Sequence, residues 1–544
     1  MNSHQLLTVA FCTVVVVVDC LYFPAGFFFG SRLLDIICLV VTLTFCAFLY
    51  RAYLYPKFFT PFKQLNTPQD RSIWIGNLRD VHQNYNEIVT SWAHAFPKQE
   101  LIRVYLLLNQ EVLLAFGPNA VHDVLVEKPY EFTPGPVLKL IFKYAGIGGL
   151  FTADNQKHKI HRRKLARAFS PSNIERFQHV FWKIAAEMVT TIEKETSHSS
   201  SNGAGVIATE ELVSRAIIDA FASTQMDEDL KCLQAKSPIT DAYRDVWAQN
   251  KACKILIACL INSPSTPVPP NNEVRKAAKA RKRIYDLVQQ SLEKKKLKIH
   301  EGWHAEYENI TSIMLGNDQF TEQETISHTL TYAAASYETT TLAIQWAIVA
   351  LSKFPSVQGR LHQEIRAHLP PLDAVDDFSP HIEAVKRMPY LNAFCNEVLR
   401  YYTPISMTIR EASQDTSILG TPVPRGTLVL VSHDTTNHDL GAWGPDANEF
   451  NPDRWIDSKS GFDQHKSRGG VHKNGRTLAS FSFGARRCPG QEYAMSEFRC
   501  FMASLVGRFA IELEDPSAEV RVTGTFNLTP ADGVRARFKK LGDW

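Results

Sequence analysis

Hydrophobic positions are spread unevenly along the chain. Two apolar runs fill the N-terminus: Leu6 to Val18, broken by Asp19 and resuming through Phe29, and Leu33 to Tyr50, uncharged from Ile36 onward. A bilayer span takes about 20 apolar residues, so the second run is the better candidate. Asp19 at a bilayer centre would cost ~2.5–3.5 kcal/mol, which weakens the first. A cleaved leader would carry basic residues ahead of its apolar run and a small-x-small site behind it; only His4 precedes, and no such site follows. Arg51, Lys57, Lys63 and Arg71 follow the second run and, by the positive-inside bias, put the rest of the chain in the cytosol. Pro56, Pro61 and Pro68 predict a stiff connector. The expected organisation is a membrane anchor over residues 1–55, with 33–50 the favoured span, a connector over 56–70 and one body over 71–544.

Within the body the dominant period is helical. Thr321 and Glu324 have the spacing of a capping box, and the apolar stretch behind them predicts a helix of roughly thirty residues reaching Leu351. Val274 to Lys296 reads as a helix with a solvated cationic face. Short alternating pieces, Leu101 to Leu107, Glu111 to Ala115 and Thr427 to Ser432, predict strands. Thr196 to Gly205 and Asn262 to Asn272 read as polar or Pro-rich surface loops. The fold class is therefore mainly α with small β-sheets, and no repeat or internal boundary divides it.

Composition narrows the classes. The 544 residues are 45% hydrophobic and 21% charged, which excludes a disordered or disulfide-stapled chain. A net charge of +3 gives no footing for nucleic-acid binding. The ten cysteines form no C-x-x-C pair and no disulfide-like spacing, which suits a reducing compartment. There is no H-E-x-x-H, G-x-S-x-G or P-loop. Gly146-Ile-Gly148-Gly149 lacks the third glycine of a dinucleotide loop and reads as a flexible turn.

The richest stretch is Phe481-Ser-Phe-Gly-Ala-Arg-Arg-Cys-Pro-Gly490. Gly484 permits a tight turn, and Gly490 lets backbone approach a flat ligand. Pro489 suits the first position of a helix, which would leave Cys488 at its N-terminus, where helix dipole and free N–H groups favour a thiolate. A lone Cys is commonly a small buried hydrophobe. One framed by two Gly, two Arg and a Pro is not explained that way.

Here the sequence resembles a known family. Phe481, Gly484, Arg486, Cys488 and Gly490 fill every fixed position of the F-x-x-G-x-R-x-C-x-G haem signature of the cytochrome P-450 monooxygenases. The resemblance implies Cys488 as axial thiolate of haem iron (iron protoporphyrin IX, heme b), Phe481 against the cysteine side of the macrocycle and Arg486 on a propionate. Glu397-Val-Leu-Arg400 matches the family's E-x-x-R, and Arg454 in Phe450-Asn-Pro-Asp-Arg454-Trp455 its third partner, implying a buried Glu–Arg–Arg network. Ala335-Ser336-Tyr337-Glu338-Thr339-Thr340 is similar to A-G-x-E-T-T, with Ser336 in place of Gly. It implies Thr339 above the iron and Glu338 beside it, a hydroxyl and an acid able to hand protons to dioxygen; Ser and Thr in helices also simply bond back to the preceding turn. His158-Lys-Ile-His-Arg162 is similar to W-x-x-x-R, with His158 where Trp is usual. Arg162 and Arg410 are thereby implied as further propionate partners.

The resemblance implies a single large haem domain behind an anchor, of the microsomal eukaryotic, fungal type. Its expected activity is insertion of one oxygen atom from O2 into a lipophilic molecule, with electrons from an NADPH–cytochrome P-450 reductase at the endoplasmic-reticulum membrane. A terpenoid, polyketide or alkaloid of fungal secondary metabolism fits. The rivals are a haem-thiolate isomerase or dehydratase, and a membrane-anchored haem sensor. Lys157, Lys159, Arg163, Lys164 and Arg167 offer either plain surface charge or a docking face for an acidic flavoprotein. Pocket walls are expected from Phe132 to Tyr144, Thr331 to Ala335, Pro404 to Ile409 and Thr523 to Leu528.

Overall fold

A computed structural model describes residues 32–544 apart from 70, 73, 146–147, 200–204, 236–237, 248–271, 303–307, 318, 373–376, 458–460, 463–477, 525 and 543. The first apolar run and all of Asn262 to Asn272 except its last residue lie outside the described residues. The chain divides into two compact units, Met1–Arg79 with Ile102–Leu113, and Asp80–Leu101 with Leu114–Trp544.

In the first unit, helix Arg32–Leu49 continues as wider π-type turns over Tyr50–Phe59, so Pro56 lies inside the helical segment. Ile36–Phe59 is long and apolar enough to cross a membrane, and Leu33, Val40, Val41 and Phe45 stand exposed along it. Its lower end is tied down. The Asn109 amide donates to the Ala52 carbonyl at 2.7 Å, and Arg71 lies 4.2 Å over the Tyr105 ring.

The second unit is helical. Its longest helix, Glu322–Lys353, starts at the expected capping box: Thr321 Oγ1 accepts from the Glu324 N–H at 3.2 Å, and Glu324 Oε2 accepts from the Thr321 N–H at 2.9 Å. The C-terminal half of this long helix packs into one apolar core with helix Pro171–Ser199, helix Pro389–Tyr402 and helix Gln491–Arg508. Its N-terminal half packs into another with Thr209–Phe221, Pro238–Trp247 and Asn272–His300. Sheets are small, as expected: Met407–Ala412 pairs antiparallel with Leu428–Ser432 and Phe132–Thr133, and Arg535–Lys540 joins Phe509–Leu513 to Val206–Ala208. Three expected loops differ. Thr196 to Ser199 extend the helix from Pro171, because threonine hydroxyls there bond back to the turn before instead of breaking it. Pro136–Ala145 is a helix within the presumed loop from Phe132, opened by its proline. Gly148 and Gly149 form no loose turn: their N–H groups donate to Thr331 Oγ1 (3.1 Å) and Ser327 Oγ (2.9 Å) on the long helix.

What fixes the core is a carboxylate with no exposure at all. Helix Pro389–Tyr402 begins on Pro389 and stops where Thr403 turns left-handed (φ 39°) ahead of Pro404. On it Arg400 grips Glu397 with two 2.8 Å bonds. Arg454 Nε (3.0 Å), Trp455 Nε1 (2.9 Å) and the Asn451 N–H (2.7 Å) complete the shell around Glu397. Arg400 spends its remaining donors on the carbonyls of Asn437 (2.9 Å), Ala447 (2.6 Å) and Glu449 (2.7 Å). The Asn437 side chain then donates to Ser480 Oγ at 3.0 Å and accepts from the Ala479 N–H at 2.7 Å, reaching the start of the cysteine loop. Removing one member leaves the others buried and uncompensated, which costs about 3–5 kcal/mol. Glu397→Gln is therefore expected to lower the thermal unfolding midpoint sharply and with it the yield of folded protein; an unchanged midpoint would refute the network's structural weight.

Candidate active site

The cysteine loop is built on glycine and tight turns. Ser482 and Gly484 both adopt positive φ (58° and 68°). The Cys488 N–H donates to the Phe481 carbonyl at 2.8 Å and the Arg487 N–H to Gly484 at 3.1 Å, closing the loop twice. A Cβ on Gly484 would sit 2.0 Å from the Leu125 carbonyl oxygen, so the position needs glycine for space as well as for φ. The helix that follows starts at Gln491 with Gly490 as its N-cap. Pro489 is thus not its first residue, and Cys488 stands ahead of the cap. Burial pushes the Cys488 thiol above its ordinary pKa, while the Gly490 N–H, Arg162 and Arg487 pull it down.

Beside the loop positive groups converge; Asp154, at the N-cap of the neighbouring helix, acts on Arg486 while its carboxylate pairs with Lys139. Helix Asn155–Leu165 carries His158 and Arg162 inward, and Arg162 Nη1 donates to the Arg487 carbonyl at 2.8 Å. Arg486 reaches the Ala153 carbonyl and Asn155 Oδ1, both at 3.2 Å, with its Nε buried and unpartnered. Arg410, on strand Met407–Ala412, is 6% exposed and donates only to Thr408 Oγ1 (2.7 Å) and the Ile409 carbonyl (2.9 Å). Burial, with the charge of Arg486, lowers Arg410 to about 10. His158 meets Tyr130 at 3.4 Å. Burial and the charges of Arg486, Arg162 and Arg410 hold it down at about 4, so it is a neutral imidazole here. Among the described residues none of the three guanidiniums forms an ion pair. Burying that much positive charge unpaired is costly, and the arrangement suits a bound group that brings two carboxylates.

The long helix presents its chemistry through one open strip. Ala335 is exposed and Ser336, Glu338 and Thr339 are half-buried, while residues on either side are buried. Thr339 Oγ1 donates back to the Ala335 carbonyl at 2.8 Å, which leaves its lone pairs free to accept. Burial raises Glu338 to about 7, opposed by a hydrogen bond from the Asn527 side chain. Residues 526–528 are strapped in place: the Ser406 N–H donates to the Phe526 carbonyl (2.8 Å), the Leu528 N–H to Pro404 (2.9 Å) and Trp346 Nε1 to the Leu528 carbonyl (2.8 Å). Among the described residues Ser336 Oγ is buried without a hydrogen-bond partner, while Thr340 bears on the buried carboxyl of Glu497.

The cationic helix is less free than its sequence suggests. Lys157 pairs with Glu324 and Arg167 with Glu308, and Lys164 donates to Asn317 and Gln319. Sequence reasoning missed Tyr130, Asn155, Asn527 and Trp455 as partners in these sites. Trp455 alone carried a signal, since it adjoins Arg454. Gly484→Ala is expected to lower the unfolding midpoint by several degrees, from backbone strain of about 1–3 kcal/mol plus the clash with Leu125; a midpoint matching that of the unsubstituted chain would sink this account.

Comparison with known proteins agrees with the geometry. The cytochrome P-450 family profile matches residues 67–532. Cytochrome P-450 monooxygenase sphH of Aspergillus fumigatus is 31% identical over 527 residues, 96% of each chain. FUM15 of Gibberella moniliformis, also named a cytochrome P-450 monooxygenase, is 32% identical over 515 residues, 86% of each. The similarly named ptmK of Penicillium ochrochloron is 29% identical over 511 residues, 90% of this chain and 96% of its own. A profile spanning most of the chain, with relatives of this extent, makes the protein a member of the cytochrome P-450 family, an oxygenase whose cofactor is haem.

Proposed function

We propose that Cys488 is the axial thiolate of haem iron in a membrane-tethered monooxygenase, and that the enzyme places one atom of O2 in a lipophilic product of fungal secondary metabolism. The observation that carries the reading is the cluster of Arg162, Arg410, Arg486 and His158 beside the Cys488 loop, in which no guanidinium has an ion pair among the described residues. The three guanidiniums supply forked donors for two propionates, with His158 as a neutral neighbour. When bound, haem supplies dioxygen activation, and thiolate ligation favours O–O cleavage. Cys488 gives up its proton on binding, since a ligating thiol must be deprotonated. Phe481, Gly484 and Gly490 shape the surface against which a flat ring rests.

On the opposite face Glu338 holds the proton. A carboxyl raised to about 7 is largely protonated below that pH and ionised above it. Thr339, its own proton committed to Ala335, accepts and orients a neighbouring donor. Glu397, Arg400 and Arg454 act through the backbone they hold. Electrons come from an NADPH–cytochrome P-450 reductase. Lys157, Lys164 and Arg167 are held by partners within the protein and Lys159 lies 4.4 Å over the Tyr130 ring, so Arg163 leads the docking face. The domain reading keeps residues 1–55 as anchor, 56–70 as connector and 71–544 as the haem body on the cytosolic side of the endoplasmic reticulum. Fungal relatives and the apolar residues at Pro404 to Ile409 and Thr523 to Leu528 favour a terpenoid, polyketide or alkaloid substrate.

Two outcomes follow. The reduced protein is expected to give the thiolate-type carbon monoxide difference spectrum, and Cys488→Ser to lose it; a retained thiolate band would overturn the assignment. Product formed per NADPH is expected to fall as pH rises through about 7, where Glu338 loses its proton. Glu338→Gln should flatten that profile and lower the rate by about 10²-fold or more, the ~10²–10⁴-fold range of positioned acids. A pH profile identical in both proteins would exclude Glu338 as the donor.

A further inference from the structure

Two buried histidines play no part in the chemistry above. His161 sits next to Arg162 on the helix Asn155–Leu165, and His328 lies upstream of Glu338 on the long helix. They are 5% and 1% exposed, and His161 Nδ1 meets His328 Nε2 at 2.9 Å. The other nitrogen of His328, Nδ1, is buried with no partner. An orphaned acceptor is less costly to bury than an orphaned N–H, so Nδ1 is the bare nitrogen and His328 Nε2–H donates to His161. Phe320 packs on both rings, 4.7 Å from His161 and 5.7 Å from His328 between centroids. From the far side, a Cβ on Gly149 would lie 2.9 Å from His328 Nδ1, so this glycine (φ 46°) closes the seam by having none. The two rings therefore cannot slide apart without disturbing Phe320, Gly149 or both.

We propose that the His161–His328 hydrogen bond is a positioning strut that sets the register of the propionate-binding helix against the long helix. Arg162 and His158 are thereby fixed relative to Glu338 and Thr339. The proposal rests on the cofactor reading, since its consequence is how tightly haem is held. The groups facing the pair among the described residues are Lys157 and Lys164 from its own helix and Glu324 from the long helix, with Asn317, Gln319 and Phe320 from the 317–320 segment, whose Asp318 lies outside the described residues. Burial and the nearby lysines hold His328 at about 3 and His161 below its ordinary value, so the closed pair is neutral. Opening the seam lets a ring take up a proton below the ordinary histidine value of about 6.5. Opening thus becomes up to about tenfold easier per pH unit for each histidine that protonates. The strut is intact above that range and weakens as pH falls.

The test uses full-length haem-loaded protein and follows transfer of haem to excess apomyoglobin. A glutamine amide can place a donor where His328 Nε2 stands, whereas leucine cannot. At pH 7.5, His328→Leu is expected to lose haem about three- to tenfold faster than the unsubstituted protein, the worth of one hydrogen bond. His328→Gln is expected to stay within about twofold, with a shallower rise in loss rate between pH 6.5 and 5. Loss from His328→Leu as slow as from the parent, or from His328→Gln as fast as from His328→Leu, would overturn the strut. Should His328→Leu not fold, His161→Asn and His161→Leu read the same bond from the other ring, with the same two overturning results. The carbon monoxide spectrum of the parent separates the two readings: lack of a thiolate band there defeats the cofactor assignment, not the strut.

Discussion

A carboxylate buried without exposure needs donors for both its oxygens, and Glu397 has them. Its two oxygens take donors from Arg400, Arg454, Trp455 and the Asn451 backbone. Because the partners come from a helix and from a distant turn, the charge can be satisfied in one arrangement only. Arg400 extends the constraint to three carbonyls, and Asn437 carries it to Ser480 at the mouth of the cysteine loop. An ion pair of this kind is weak evidence for net stability. Its consequence here is geometric: it decides where the loop begins.

The site built on that foundation divides by charge. One side is strongly positive, its guanidiniums without ion pairs among the described residues; the other presents an acid whose proton affinity burial raises. Both departures from ordinary protein surfaces point in one direction. The positive side awaits carboxylates, and the acidic side keeps a proton at a pH where an exposed glutamate would have lost it. Neither feature would be stable in the middle of a plain hydrophobic core.

Much of this was legible in the chain. The capping box at Thr321 and Glu324 was readable because its two bonds are local. The cysteine loop was readable because glycine, proline and arginine at fixed spacing have few other uses. The network was readable as a motif, with Trp455 signalled by its place beside Arg454, yet Asn437 was not, since its bonds span distances that no local pattern encodes. The boundary after Cys488 differs by two residues: Pro489 suits a first helical position, but the helix starts at Gln491 behind Gly490. The same limit explains Gly148 and Gly149. A glycine pair looks flexible until the long helix supplies Thr331 and Ser327 to hold its N–H groups. Cations on the helix from Asn155 looked free for the same reason, as Glu324 and Glu308 are remote in sequence.

The strap over residues 526–528 joins two properties usually treated as separate. Asn527 bears on the proton affinity of Glu338, while its neighbours are pinned to Pro404, Ser406 and Trp346 along the expected substrate wall. Reshaping that wall to admit a different molecule would therefore also retune the acid. Broadened substrate range and wasted reducing equivalents would arrive together, from the same few substitutions. Selecting for product yield per electron, instead of for turnover alone, would be the way to keep them apart.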